Sequence, residues 1–182
     1  AGITLGLWLG WKIAIINFFA AFALWFYSNR LKRMPFVGNF VIALLTGLSL
    51  IVVAVYFHRN FYLILNYAVF AFSITLIREI IKDMEDMAGD EHYGSKTLPI
   101  VWGVRKTKNF LYALIIIFVA LLFYLSHLLN NATLNTFFLI LLVPIFYFVY
   151  ILYKADTKKK YNRLSNFCKL FMLVGILSMT FF

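Results

Sequence analysis

Of the 182 residues, 64% are hydrophobic and 20% aromatic, and charged residues make up 13%, against the roughly 25% usual in soluble domains. This excludes a soluble globular domain and indicates an integral membrane protein. A net charge of +10 would suit nucleic acid, but the Lys and Arg residues sit between long apolar runs instead of along one polar surface. No nucleic-acid partner is therefore expected.

A spanning helix needs about 20 mostly apolar residues, and that length divides the chain in order. Residues 1–10 are too short to span and are expected to be the tail of a helix that begins before Ala1. The first full span is predicted over 13–28, anchored by Trp11 and Lys12 at one interface and Tyr27 at the other, and Pro35 disfavours helix at Met34. The second span covers about 37–57 and the third about 61–82, joined by a His58-Arg59-Asn60 turn. A polar loop from Asp83 to Lys108 is expected next, with Gly89 and Gly94 allowing a sharp turn where the helix ends. The fourth span is placed at about 109–129, followed by a turn through Asn130-Asn131-Ala132-Thr133. The fifth, about 134–153, contains Pro144, which a membrane helix tolerates as a kink. The sixth runs from about Leu164 to the end of the chain. Asn17 and Asn66 lie within spans and suit hydrogen bonding between helices. Cys168 is read as a small packed residue.

The fold class is thus all-α, a polytopic helix bundle forming one domain over 1–182. All of the 17 Lys and Arg residues except Lys12, Arg59 and Lys169 fall in or beside three alternate loops. By the positive-inside rule these loops are cytoplasmic. The lysine run Lys158-Lys159-Lys160 is expected to meet anionic lipid headgroups.

One of those loops also collects the negative charge. Every Asp and Glu of the chain's seven except Asp156 lies between Glu79 and Glu91. Asp83, Asp86 and Asp90 stand at i, i+3 and i+7, which puts them on one face if the third span continues as helix, and Glu79 extends that face by one turn. Carboxylates of this kind are hard ligands for Mg²⁺, which uses one or two of them and fills its remaining positions with water and phosphate. Arg30, Lys32, Arg33, Lys96, Arg105 and Lys106 lie on the same side and suit a diphosphate. Spacing alone leaves a second reading open, a solvated acidic loop in which Arg78 and Lys82 pair with Glu79, Asp83 and Glu85.

The run REIIKDMEDMAGDEHYGSKTLPIVWG from Arg78 to Gly103 resembles the second aspartate-rich motif of the UbiA family of membrane prenyltransferases. YSNRLKRMPFVGN, from Tyr27 to Asn39, resembles the segment that ends the family's fourth helix. The resemblance is nearest the branch that prenylates geranylgeranylglyceryl phosphate. It implies a nine-helix fold in which residues 1–10 match the end of the third helix and the six spans match the fourth to ninth. The family's first motif, Asn-Asp-x-x-Asp, does not occur in the chain. These residues are therefore expected to be the C-terminal two thirds of such an enzyme, inactive by themselves.

The implied activity is Mg²⁺-dependent transfer of a prenyl group from a prenyl diphosphate to a lipophilic acceptor, geranylgeranylglyceryl phosphate or a quinone precursor, in a bacterial or archaeal plasma membrane. Asp83, Asp86 and Asp90 would hold metal, while Tyr27, Arg30, Lys32, Arg33, Lys96, Arg105 and Lys106 would bind diphosphate and Asn39 would touch substrate or metal. Other classes fit less well. A cation transporter is expected to carry ionisable residues deep in its spans, and the Asp-Gly…Ala-Arg…Gly…Asp…Asp pattern of CDP-alcohol phosphotransferases is missing.

The loop assignment predicts that Lys159→Cys, in a Cys168→Ser background, reacts with a membrane-impermeant maleimide in inside-out vesicles only. Labelling in right-side-out vesicles instead would refute the topology.

Overall fold

The computed structural model describes residues 2–57, 61–128 and 132–179, without the side chains of 3, 5, 33 and 134. The expected His58-Arg59-Asn60 turn and the Asn130-Asn131 part of the later turn lie outside these residues. Ala132 and Thr133 are already helical.

The helices in chain order are α1 (Gly2–Leu9), α2 (Trp11–Asn29), α3 (Val37–Phe57), α4 (Phe61–His92), α5 (Leu98–Trp102), α6 (Val104–Leu128), α7 (Ala132–Tyr153) and α8 (Lys158–Ser178), with a 3-10 turn at Leu31–Arg33 between α2 and α3. Among the described residues there are no strands. α1 folds back against the start of α2 at Gly10, whose φ of 139° favours glycine. Asn17 Nδ2 donates to the Gly2 carbonyl at 3.3 Å and so ties the two helices.

By length and composition five of the described helices can cross a membrane: α2, α3, α4, α6 and α7. The chain is an integral membrane protein. The expected sixth span falls on α8 and runs on into 180–182, outside the described residues. α8 begins earlier than expected and takes Lys158, Lys159, Lys160 and Arg163 into its first two turns.

α4 is the axis, packed against α3, α6 and α8. Ile74, Ile77, Ile80, Ile81 and Met84 line its buried side. Tight approach comes from small residues, as expected where lipid removes the hydrophobic drive for helix association. A Cβ on Gly47 of α3 would stand 3.1 Å from the Ala68 carbonyl oxygen, and one on Gly175 of α8 would stand 2.5 Å from Phe70 Cε1. Tyr67 and Ser178 add a 3.0 Å hydroxyl contact between α4 and α8. Ser126 Oγ to Asn135 Oδ1, 2.8 Å, joins α6 to α7. Asn66 is buried with neither side-chain atom bonded among the described residues, unlike the interhelical role expected for it.

The expected polar loop 83–108 is largely helix. α4 continues to His92 because nothing between Asp83 and His92 stops it, Gly89 included. Gly94 stops it, with φ 69°, the Gly94 N–H bonding the Glu91 carbonyl and the Ser95 N–H bonding that of Asp90. This is the double closure of a Schellman cap, which needs a left-handed residue. α5 then starts at Leu98-Pro99, both buried, and Gly103 with φ 79° turns the chain into α6.

Gly175→Leu should lower the melting temperature in detergent by several degrees, on the order of 1–3 kcal/mol of overpacking. Gly89→Ala, with nothing within 4 Å of its added methyl, should not lower it. Equal melting temperatures for the two variants would contradict the α4–α8 contact.

Candidate active site

Three connections meet at one end of the bundle. The α2–α3 connection holds Leu31 buried, and Phe36 adopts φ 62°, a backbone state uncommon for a bulky residue. Its ring is held edge-on to Phe110 of α6 at 5.5 Å. Gly38 is required by crowding, because a Cβ there would meet the Leu31 carbonyl oxygen at 2.7 Å and the Tyr27 ring at 3.3 Å. That close approach brings the end of α2 and the start of α3 up to the acidic end of α4.

The decisive contact follows one residue later. Asn39 Nδ2, buried at the start of α3, donates to Asp83 Oδ2 at 2.7 Å. The bond fixes one carboxylate oxygen and leaves the other available. The Tyr27 hydroxyl lies in the field of Glu79 and Asp83, and Lys32 and Lys82 both act electrostatically on Asp90. Glu79 is ion-paired with Arg78. The helix to His92 places Asp83, Asp86 and Asp90 on one face, rising about 10 Å from first to last at 1.5 Å per residue.

On the other flank, α8 reaches α4 through Asn162 Nδ2, which donates to Glu85 Oε1 at 2.7 Å, and through Lys158 Nζ, 3.5 Å from Asp86 Oδ1. Lys108 of α6 bonds the Tyr153 carbonyl and pairs with Asp156 at 3.2 Å, closing the same end. Between these groups lies a cavity of about 630 Å³ that includes Asp86, Asp90, Tyr93, Lys158 and Tyr161 in its wall. The buried Tyr161 hydroxyl donates to the Ala155 carbonyl at 2.9 Å.

Of the residues predicted from sequence, Tyr27, Lys32, Asn39, Asp83, Asp86 and Asp90 are brought together. Arg30, Lys96, Arg105 and Lys106 are exposed, and no hydrogen bond or ion pair joins them to the acidic face among the described residues. The side chain of Arg33 is outside those residues. Lys158 was assigned to lipid headgroups by sequence and is found at Asp86. Its sequence signal was membership of the third loop on the acidic loop's side.

The donor set suits a divalent cation. Asp83, Asp86 and Asp90 offer hard oxygens, those of Asp86 and Asp90 in the wall of the open cavity. Among the described residues no three His, Cys, Asp or Glu side chains converge on one point. The rise along the helix accounts for that, and carboxylates so spread could each hold a Mg²⁺ ion that fills its other positions with water and phosphate.

Fold and site define a polytopic α-helical membrane protein with its carboxylates concentrated on one protruding helix end. The model of the UbiA prenyltransferase family matches residues 1–174, and the chain belongs to that family. It is 32% identical over 174 residues to digeranylgeranylglyceryl phosphate synthase of Methanobrevibacter smithii, covering 92% of this chain and 60% of that protein. The same-named protein of Methanosphaera stadtmanae is 32% identical over 183 residues, 97% of this chain and 65% of the relative. A solved structure from work on digeranylgeranylglyceryl phosphate synthase in membranes superposes with a TM-score of 0.83 at 28% identity, over 97% of this chain and 63% of that one. The chain thus spans about 60–65% of the length of these relatives.

Asn39→Leu removes the only donor bonded to Asp83 among the described residues. The variant should bind Mn²⁺, followed by electron paramagnetic resonance, about ten-fold more weakly than the parent, the loss of one hydrogen bond to a charged group. Unchanged Mn²⁺ affinity would show that Asp83 needs no such positioning.

Proposed function

We propose that this protein, expressed from its complete reading frame, transfers a prenyl group from a prenyl diphosphate to a lipophilic acceptor, with the acidic face of α4 as the diphosphate end of the site. The observation that carries this is the alignment of Asp83, Asp86 and Asp90 on one helix face, with Asp83 held by Asn39, in a chain of the UbiA family. Relatives named digeranylgeranylglyceryl phosphate synthase favour geranylgeranylglyceryl phosphate as acceptor and a geranylgeranyl donor.

Asp83, Asp86 and Asp90 would hold Mg²⁺, which when bound neutralises the charge of the leaving diphosphate. The carboxylates act as ligands, not nucleophiles. Lys32, which acts electrostatically on Asp90, would supply positive charge toward the same oxygens. Breaking the C1–O bond leaves its electron pair on diphosphate and an allylic cation on the prenyl chain. The acceptor hydroxyl oxygen bonds C1 and loses its proton to diphosphate or water. The Tyr27 ring, half-buried in the field of Asp83, would face positive charge developing at this end. The acidic end faces the cytoplasm, consistent with the distribution of Lys and Arg.

With labelled geranylgeranyl diphosphate and geranylgeranylglyceryl phosphate, Asp86→Asn and Asp90→Asn should each lower product formation at least about 100-fold, as expected for lost electrostatic stabilisation. Chelation with EDTA should abolish activity and Mg²⁺ should restore it. Glu91→Gln, beyond the aligned face, should retain activity. Full activity in both aspartate variants would end this reading.

A further inference from the structure

The acidic face has one close cationic neighbour that sequence assigned elsewhere. Lys158 is the first residue of α8, and its ammonium stands 3.5 Å from Asp86 Oδ1. Lys159 is exposed and Lys160 is engaged elsewhere. Lys160 bonds the Lys154 carbonyl at 2.6 Å, and successive residues on a helix are turned about 100° apart. Asn162, one turn further along α8, donates to Glu85 at 2.7 Å and sets the register that puts Lys158, and not Lys159, beside α4.

The two partners differ in freedom. The Lys158 side chain is 73% exposed and that of Asp86 44%, so their pair is a weak, solvent-screened one that costs little to break. Both line the same cavity, together with Asp90 and Tyr93. A cation binding Asp86 Oδ1 competes with the ammonium for that oxygen. The ammonium so released stays in the wall of the cavity, where an anion accompanying the cation would sit. A flexible four-carbon stem with three donors suits that movement.

We infer that Lys158 is a further diphosphate-binding residue: it serves as counter-ion to Asp86 when no metal is there and turns to the diphosphate oxygens when one is. This rests on the prenyltransferase reading of the site and deepens it. It also predicts effects of opposite sign on the two ligands, which a purely structural lysine or a lipid-binding lysine would not produce.

The test uses the protein expressed from its complete reading frame and purified in detergent, with Mn²⁺ and inorganic pyrophosphate as probes. Lys158→Met should bind Mn²⁺ alone about two- to five-fold more tightly, because Asp86 is released from its competitor. In the presence of Mn²⁺ it should bind pyrophosphate about ten-fold more weakly, having lost a charge-assisted contact. Lys158→Arg should restore pyrophosphate affinity, and Lys159→Met should match the parent in both measurements. Parent-like behaviour of Lys158→Met in either measurement, or an equal loss in Lys159→Met, overturns the inference while leaving the function intact. A parent protein that binds neither probe defeats both the inference and the function on which it rests.

Discussion

A helix of 32 residues cannot lie wholly within a hydrocarbon layer. α4 is about 48 Å long at 1.5 Å per residue, against about 30 Å of apolar thickness. The excess must emerge, and it is the excess that carries the charge. Because the helix is continuous from its buried isoleucines to its aspartates, the packing that fixes Ile77, Ile80, Ile81 and Met84 also fixes the carboxylates from Asp83 onward. Gly94 closes the helix only after all three aspartates have been placed on it.

Carboxylates held this way repel one another, and the surrounding elements answer that repulsion one by one. Arg78 pairs with Glu79, Asn39 donates to Asp83, Lys158 stands at Asp86, and Lys32 and Lys82 act on Asp90. The partners come from the turn between α2 and α3, from α3, α4 and α8, so the site belongs to the junction of three connections. Gly38 and the left-handed Phe36 let the first connection come close, and Asn162 registers the last. Such an arrangement leaves Asp86 and Asp90 in the wall of an open cavity.

Much of this was legible in the sequence for simple reasons. Spanning helices announce themselves by apolar length, and helical period puts residues at i, i+3 and i+7 together wherever the helix continues. Loop 83–108 misled because a ruler of hydropathy ends a helix where polarity begins, whereas backbone hydrogen bonding carried α4 on to His92. α8 misled in the same way, its lysines being helical despite their charge. Cations were harder still. Arg105 and Lys106 are adjacent to the motif in sequence, yet the turn at Gly103 sends them into solvent.

The sequence by itself determined that this is a membrane helix bundle with its acids gathered at one helix end, since composition and period are local properties that survive without a fold. It also singled out Tyr27, Asn39 and the three aspartates. Only the tertiary structure decided which of many cations stand near them, because that depends on the rotation and register of α8 against α4. Those are set by Gly175 against Phe70 and by Asn162 against Glu85, contacts between residues more than 70 positions apart in the chain.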